Sequence, residues 1–431
     1  MSLFHRNFFS TAKSLVFSKT ANDALIVLGG SGIGSLLGFI FVFVIARRLG
    51  PAQFGIYSTI INYVTFLAAV IDIGINQSLV SFIGRSKSKK EKKTWISTSF
   101  GAVLATTSVL GLAASLFYQF FLRNLWHHPS GLFSIVFLTI IAITVNIFFL
   151  NLFQALRKFW QRSILDVAFS VIRLLIVGIL LVYASINLKT SFQSILFAYI
   201  LAIVYAFYVA KRFLSLGLFS KEKLGNIYRF SRWLAGTGFF ANLYGRLDVM
   251  MLAWLSSAYI TGIYSAAARF ILIFPLVVSS LSSVVSPRFA GFTTLDELDK
   301  YFRKTIGIAL GLSLVMSILI LIAEPLILIA YTEDFVQAVP VFRLLVSANV
   351  PLILSIPASN ALVYFFKKPQ YVTAVSLVQL LGLAGLIATF IPRFGALGPV
   401  YALMAMNTFG MILQYFFYFT FYNRGVIEKD S

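Results

Sequence analysis

Residues 24–47 read ALIVLGGSGIGSLLGFIFVFVIAR, and residues 49–58 read LGPAQFGIYS. The first run is apolar and long enough to cross a bilayer as a helix. The tetrapeptide Gly-Ile-Tyr-Ser that ends the second run returns at Gly262–Ser265, 207 residues later. The same shift places the first run over Ser231–Trp254 and the turn Leu49–Phe54 over Ser256–Thr261. The chain is therefore predicted to consist of two related halves, an organisation common in membrane transporters.

The composition predicts a membrane protein. Hydrophobic residues make up 59% of the 431 residues and charged residues 11%, with a mean hydropathy of +0.90. A soluble domain cannot bury that much apolar surface. The chain has no cysteine, and its three histidines, His5, His127 and His128, lie outside the apolar runs. We therefore expect neither a thiolate nor a histidine metal site.

Twelve apolar runs are predicted to span the membrane. They lie near residues 24–46, 56–82, 95–122, 131–154, 164–185, 193–210, 233–255, 262–286, 305–323, 338–365, 371–391 and 399–422. The first run resembles a signal peptide but is too long, lacks a cleavage pattern and is followed by many more runs, so it is interpreted as a retained helix.

The distribution of basic residues predicts the orientation. Of 35 Lys and Arg, one alternate set of connections holds only Arg47, Arg48, Arg123, Lys189 and Arg393. Nearly all the others lie in the opposite set, which includes both termini. By the positive-inside rule both termini are cytoplasmic, and the protein is placed in the cell (inner) membrane. The net charge of +21 is then explained by topology and by attraction to anionic membrane lipids. The connections are too short for a nucleic-acid-binding or nucleotide-hydrolysing domain, and no G-x-x-x-x-G-K-[ST] loop is present.

Six spans in each half is an even number, so the two halves are predicted to be parallel repeats. The domain boundary is placed in the basic connection near residue 218, which gives a six-helix bundle over residues 1–218 and a second over residues 219–431. The first 22 residues mix apolar and basic side chains and are predicted to form an interfacial helix.

Glycine and proline mark particular helices. Gly30, Gly34 and Gly38 repeat at four-residue spacing in the first span. This pattern predicts close helix packing or, alternatively, a bending helix that opens a path to lipid. Pro275 in span eight, and Pro351 and Pro357 in span ten, predict kinks.

Four arginines lie inside the predicted spans: Arg173, Arg246, Arg269 and Arg343. An arginine near the bilayer centre is unfavourable by roughly 2.5–3.5 kcal/mol on insertion scales, and such residues usually face a cavity or a partner. Its guanidinium is suited to forked binding of phosphate oxygens. These four residues are therefore the candidate substrate-binding set, although for each one alone snorkelling or a structural ion pair remains open.

Two aspartates oppose these charges. Asp72, near the middle of span two, has either a packing role or a role in H⁺ or Na⁺ coupling. Asp248 is expected to pair with a neighbouring arginine, of which Arg269 is the nearest by depth, and Arg246 is expected to face the lumen. The residues contain no catalytic constellation, and no metal site or cofactor is predicted.

The residues resemble a known family. Ala46–Ser58 with Asp72–Gln77, Arg246–Asp248 with Gly262–Arg269, and Ile391–Gly398 are similar to segments of the polysaccharide biosynthesis (O-antigen-type) flippases of the multidrug/oligosaccharidyl-lipid/polysaccharide exporter superfamily. The resemblance covers nearly the whole chain through short apolar motifs. It implies twelve helices in two bundles around a cationic central cavity. It also implies alternating access that moves a polyprenyl-diphosphate-linked oligosaccharide from the cytoplasmic to the outer leaflet.

Other interpretations remain open. A drug/cation antiporter of the same superfamily would depend on Asp72 and Asp248 rather than on the arginines. A membrane glycosyltransferase or polymerase would be expected to carry acidic or histidine-containing outer loops, which the sequence lacks. A non-transporting scaffold would need no arginine within its spans. The protein is therefore predicted to be a flippase and not an enzyme, with a lipid-linked glycan as its partner and no nucleic-acid partner.

Overall fold

The computed structural model describes residues 19–72, 74–86, 88–126, 132–183, 185–214 and 218–424. Within these ranges the chain is helical and contains no β-strand. A helix satisfies its backbone N–H and C=O groups internally, as hydrocarbon surroundings require. The predicted all-helical membrane class is confirmed. Most of the predicted N-terminal interfacial helix lies outside the described residues.

Sixteen α-helices follow one another along the described chain. In order they are α1 (Lys19–Asp72), α2 (Ile75–Arg85), α3 (Lys89–Trp126), α4 (Phe133–Ala155), α5 (Phe159–Tyr183), α6 (Leu188–Ala210), α7 (Lys221–Tyr244), α8 (Leu247–Leu255), α9 (Ala258–Ile271), α10 (Ile273–Gly291), α11 (Leu295–Leu321), α12 (Ala323–Ala330), α13 (Ala338–Leu354), α14 (Ile356–Asn360), α15 (Pro369–Phe394) and α16 (Gly398–Asn423). A π-helical turn, Ala361–Phe365, extends α14.

Nine helical stretches among the described residues are long and apolar enough to cross a membrane. Two of them, Leu25–Asp72 and Pro369–Asn423, contain 48 and 55 residues. At 1.5 Å per residue each exceeds twice the ~30 Å hydrocarbon thickness, so each holds two crossings. α1 turns at Gly50, where φ is 68°. The predicted seventh span falls on α7 and α8, which are separated by Gly245 and Arg246. The helices are compatible with twelve spans.

The described chain divides into two compact units. Unit 1 runs to Leu49 and from Ile60 to Gly245, whereas unit 2 comprises Gly50–Thr59 and the chain from Arg246 onward. α7 thus packs with unit 1, and the segment after the Gly50 turn packs with unit 2. The proposed domain boundary near residue 218 stays a prediction.

Unit 1 is built on a helix with one face of small residues. α6 presents four fully buried alanines at four-residue spacing, Ala198, Ala202, Ala206 and Ala210. Such a face lets neighbouring helices approach closely. Large aromatic side chains of α3 and α4 fill the remaining core, and the rings of Phe100 and Phe148 lie 5.1 Å apart.

Unit 2 contains an aromatic cluster that explains why Gly50–Thr59 belongs to it. Phe54, which is 2% exposed, lies 6.1 Å from the ring of Tyr331 and 5.9 Å from the ring of Phe335. Burial of Phe54 therefore holds the start of the second span within this unit.

The two Gly-Ile-Tyr-Ser copies meet inside unit 2. A Cβ added to Gly55 would overlap the carbonyl oxygen of Ala258, and one added to Gly262 would overlap the carbonyl oxygen of Pro51. The contact is reciprocal, because Pro51 and Ala258 correspond under the 207-residue shift, as do the two glycines. The repeated motif thus forms a local two-fold helix crossing with backbone against backbone.

The proline-based predictions of helix interruption are confirmed. α9 ends at Ile271, just before Pro275 in the first turn of α10, and α13 gives way to α14 between Pro351 and Pro357. Two further interruptions lack proline. One is at Gly74, whose φ of 70° is left-handed, and the other is at Gly245–Arg246.

Candidate functional site

The six charged residues that we singled out divide unequally between the units. Arg173 and Asp72 belong to unit 1, whereas Arg246, Asp248, Arg269 and Arg343 belong to unit 2. We describe each group within its own unit.

Arg173 of α5 lies against the first span. Its guanidinium carbon is 4.7 Å from the ring centroid of Phe41 and 4.8 Å from that of Phe169. A cation over the face of an aromatic ring is attracted by the ring quadrupole, and this attraction strengthens where water is excluded. The two rings therefore orient the guanidinium within the half of the protein that is poorest in intramembrane charge.

A polar face of α5 connects this helix to the first span. Ser163, Asp166, Ser170 and Arg173 follow one another at intervals of three or four residues, which places them on one helical face. Ser163 donates to the carbonyl oxygen of Ile26 at 2.8 Å, and Ser170 donates to that of Gly34 at 3.0 Å. Asp166 accepts from the hydroxyl of Ser31 at 3.2 Å. The polar face is thus hydrogen-bonded to a helix that is otherwise apolar.

At two of the three spaced glycines a Cβ would disturb this contact. A Cβ on Gly30 would lie 2.5 Å from the Cβ of Ser163, and a Cβ on Gly38 would lie 2.6 Å from Nη2 of Arg173. A Cβ on Gly34 would meet nothing closer than 3.6 Å. The predicted close packing of the first span is therefore present. Bending of this helix stays a prediction.

Asp72 ends α1 at the Gly74 interruption. Its carboxylate accepts a hydrogen bond from the backbone N–H of Asn76 at 3.1 Å, in the first turn of α2. Amides in the first turn of a helix have no partner within that helix, so Asp72 satisfies a group exposed by the break. This contact is the one expected of a structural carboxylate, and a role in ion coupling stays a prediction.

Asp248 also lies beside a helix interruption, the one at Gly245–Arg246, but it follows the interruption instead of preceding it. It lies in the first turn of α8 and accepts from the backbone N–H of Val249 at 2.7 Å and from the hydroxyl of Tyr264. Tyr264 is fully buried and is the tyrosine of the second Gly-Ile-Tyr-Ser copy. The expected pairing of Asp248 with Arg269 stays a prediction, whereas its bond to Tyr264 joins α8 to α9.

Arg246 and Arg269 lie at opposite kinds of helix terminus. Arg246 precedes the first turn of α8, two residues before Asp248. Arg269 lies in the last turn of α9, where the helix dipole favours a cation. Tyr331 donates to the carbonyl oxygen of Ala266, one turn earlier, at 3.2 Å. Both arginines are half-buried.

Arg343 has a carboxylate partner. Its Nη2 lies 3.8 Å from Oε2 of Glu324, and the two side chains are 45% and 59% exposed. This ion pair was not predicted from the sequence. A role of Arg343 in binding substrate stays a prediction.

Several contact residues were missed by sequence reasoning. Phe41 and Phe169 read as ordinary apolar residues, and Glu324 as an outer-loop acid. Tyr264 carried a usable signal, because it belongs to a repeated motif and begins the span that follows Asp248. A buried tyrosine hydroxyl usually finds a hydrogen-bond partner, and Asp248 is the acid nearest in sequence.

The described chain is an all-helical membrane protein with arginines inside its predicted spans. Residues 20–293 match the family model described as "Polysaccharide biosynthesis protein", which covers more than half of the chain. The protein therefore belongs to this family of multi-pass membrane proteins.

Two relatives are similar to this chain over much of its length. A protein of Shigella flexneri named "Putative O-antigen transporter" is 23% identical over 287 residues, which is 65% of this chain and 68% of that protein. "Probable flippase AglR" of Haloferax volcanii is 24% identical over 416 residues, 92% of this chain and 83% of that protein.

Solved transporter structures share the fold. An inward-facing multidrug resistance MATE family transporter of the MOP superfamily superposes with a TM-score of 0.71 at 13% identity, covering 93% of this chain and 98% of that one. The lipid II flippase MurJ in an inward closed conformation gives 0.68 at 15% identity, covering 92% and 87%. At these identities the similarity establishes the fold alone.

Proposed function

We propose that this protein is a flippase that moves a polyprenyl-diphosphate-linked oligosaccharide from the cytoplasmic to the outer leaflet by alternating access. The observation that carries the proposal is the family match over residues 20–293, combined with arginines inside the spans. Relatives named as an O-antigen transporter and a flippase support a lipid-linked glycan as the substrate. The chain would act by transport, without catalysis of its own.

The arginines inside the spans would lower the energetic cost of moving the charged diphosphate through the membrane. A diphosphate carries negative charge that is strongly disfavoured in a low-dielectric core. Fixed guanidinium groups offset the lost hydration, because they bind phosphate oxygens with charge-assisted hydrogen bonds. Arg173 and Arg246 are tested first for this role, and Arg269 and Arg343 complete the proposed substrate-binding set.

The orientation is also part of the proposal. By the positive-inside rule, the basic connections favour cytoplasmic termini, with the protein in the cell (inner) membrane. The substrate would then be collected from the leaflet next to the basic loops and released at the opposite one.

The test is translocation of a polyprenyl-diphosphate-linked oligosaccharide in proteoliposomes that contain the purified protein. Arg173→Gln and Arg246→Gln should each reduce the initial rate at least tenfold, because one charge-assisted contact contributes about 1.5–3 kcal/mol. Arg303→Gln is the matched control, since Arg303 is 79% exposed and forms an ion pair with Asp299 one turn earlier on the same helix. Full activity of the Arg173→Gln/Arg246→Gln double variant would refute the proposal that these arginines bind substrate.

A drug/cation antiporter is the alternative, because the solved structures that share the fold include multidrug transporters. It would require Asp72 or Asp248 to hold a cation or H⁺. Both carboxylates already accept hydrogen bonds at helix interruptions, which favours the flippase. Asp72→Asn and Asp248→Asn test H⁺ or Na⁺ coupling: a coupling site would lose its gradient dependence, whereas a structural carboxylate would change only the melting temperature.

A further inference from the structure

The connection between α4 and α5 holds an arginine in a strained backbone conformation. Arg157 has a φ of 55°, and Lys367 is the one other described non-glycine residue with a positive φ. The turn is a helix-ending motif: Lys158 N–H donates to Phe153 O at 2.7 Å, and Arg157 N–H donates to Gln154 O at 2.9 Å. Glycine usually occupies the place of Arg157, because a Cβ makes the left-handed conformation unfavourable. A side chain at this position therefore needs an explanation outside the turn.

Lys158, the residue after Arg157, shares an aromatic ring with a cation from the connection after α6. Nζ of Lys158 lies 4.8 Å from the ring centroid of Phe213, and Cζ of Arg212 lies 5.3 Å from the same ring. Lys211 lies over Tyr208 at 4.6 Å. We call Arg157, Lys158, Lys211 and Arg212 the basic turn cluster.

None of the acidic residues that the structure describes forms an ion pair with the cluster. Among the described residues, none of its four members lies within 4.0 Å of an acidic oxygen. Burial lowers the pKa of Lys158, and the charge of Arg212 lowers it further. The cations therefore repel one another, and a bound anion would relieve this repulsion.

Exposed aromatic residues place the cluster at the depth of lipid headgroups. Trp160, in the first turn of α5, is 64% exposed, and Tyr208, near the end of α6, is 69% exposed. Such side chains favour the boundary between hydrocarbon and water. Trp160 and Arg173 are separated by roughly 220° around α5, so the cluster adjoins the lipid-facing side of this helix rather than the polar face that carries Arg173.

Unit 2 repeats the backbone feature. Lys367 has a φ of 53° and follows Arg157 by 210 residues, close to the repeat length. It is exposed and precedes a half-buried lysine, as Arg157 does. Lys368 N–H donates to Leu362 O at 2.9 Å. A basic residue in a left-handed turn thus occurs at the same connection of both halves.

We infer that the basic turn cluster binds the phosphate headgroup of an anionic phospholipid in the leaflet that it faces. Guanidinium and ammonium groups are the usual ligands of phosphate oxygens, and basic groups beside a membrane attract anionic lipid. The phospholipid would be a resident of the site rather than the transported molecule, because the site adjoins lipid-facing aromatics.

The experiment titrates phosphatidylglycerol onto the full-length protein in neutral detergent and counts bound lipid by native mass spectrometry. Arg157→Gly/Arg212→Gln removes two charges and places glycine where the turn favours it. Binding should weaken about thirtyfold, or about fivefold for each charge. Lys89→Gln/Lys90→Gln removes two exposed charges from the same unit and should leave binding unchanged. Lys211→Gln/Arg212→Gln, which leaves the turn untouched, gives the same test if the first variant does not fold.

Three outcomes would overturn the inference. The first is undiminished binding by both cluster variants. The second is an equal loss with the Lys89 and Lys90 control, which would indicate attraction to net charge alone. The third is displacement of phosphatidylglycerol by an equimolar polyprenyl diphosphate from the native cluster, which would make the site part of the substrate path. None of these measurements depends on transport.

Discussion

Positions 41 and 248 correspond in the two halves of the sequence, yet they use different chemistry. Phe41 of unit 1 offers an aromatic face to Arg173 at 4.7 Å, whereas Asp248 of unit 2 accepts a hydrogen bond from Tyr264. In both units the position contacts a polar side chain of another helix. The repeat has therefore kept the place of a polar contact while the groups that form it have diverged.

The helix crossing formed by the two Gly-Ile-Tyr-Ser copies has, in contrast, kept the same residues in both halves. Gly55 and Gly262 are identical, and each lies against a carbonyl oxygen of the other copy. A side-chain contact can be replaced by another of similar strength, but a contact between two backbones admits only glycine. The fold therefore requires glycine at the backbone crossing, whereas the side chains at positions 41 and 248 can differ between the halves.

The largest expected effect comes from breaking the shared crossing. Gly262→Ala would place a methyl group on the carbonyl oxygen of Pro51, which the backbone can relieve only by moving. We expect a loss of about 3 kcal/mol or more in the free energy of unfolding, measured as poor recovery of monodisperse protein and a lowered melting temperature. Gly311→Ala in α11 is the control, because a Cβ there meets nothing within 4 Å. An unchanged melting temperature for Gly262→Ala would show that the crossing is dispensable.

A smaller loss of stability is expected from breaking the hydrogen bond between Tyr264 and Asp248 in unit 2. Tyr264→Phe removes the hydroxyl that donates to Asp248 and keeps the ring. The loss should be about 2 kcal/mol, the cost of leaving a buried acceptor without its donor, measured by chemical denaturation. In Tyr264→Phe/Asp248→Asn the loss should be less than the sum of the two single losses. Strict additivity would argue that the two groups do not interact.

In unit 1, Gly38→Ala should displace the guanidinium of Arg173 while changing the stability of the protein little. The added Cβ would meet Nη2 of Arg173 at 2.6 Å, and the end of a long side chain can move. We expect the free energy of unfolding to change by less than about 1 kcal/mol, while the translocation rate falls toward that of Arg173→Gln. Gly34→Ala on the same face is the control, because its nearest contact would be 3.6 Å. Equal rates for Gly38→Ala and Gly34→Ala would contradict a role for the placement of Arg173.

The smallest effect is expected at Glu324. Its contact with Arg343 is 3.8 Å long and about half-exposed, and pairs of this kind contribute roughly 0–1 kcal/mol. Glu324→Gln should change the melting temperature little, and the small difference should shrink further as the salt concentration rises. A loss comparable with that of Tyr264→Phe would show that this ion pair is a main support of unit 2.

The sequence predicted the fold class well because hydrocarbon permits few alternatives. Long apolar runs must form helices, and Pro275, Pro351 and Pro357 interrupt them because proline removes a backbone donor. The interruptions at Gly74 and Gly245 were not foreseen, since glycine is common in membrane helices without breaking them. An acid within three residues of each glycine, Asp72 or Asp248, was a usable signal, because a break exposes amides that a carboxylate can accept.

The candidate charges could be found from the sequence, but their contacts could not. An arginine in an apolar span is conspicuous, whereas its partner is set by how helices far apart in sequence are placed. Phe41 lies 132 positions before Arg173, and nothing in either segment indicates that the two meet. Glu324 and Arg343 lie closer, but a short helix and a turn that sequence patterns do not orient separate them.

The reciprocal glycine contact also explains where divergence between the copies has stopped. Residues 51–54 read PAQF and residues 258–261 read AYIT, with no identity, whereas the next four residues are Gly-Ile-Tyr-Ser in both. If both halves descend from one ancestral sequence, each has since been free to change at Phe54 or Thr261, where neighbouring side chains can compensate. At the glycines no neighbour can compensate, because the opposing surface is main chain and is the same whatever its side chains become. A change in one copy cannot be rescued by a change in the other.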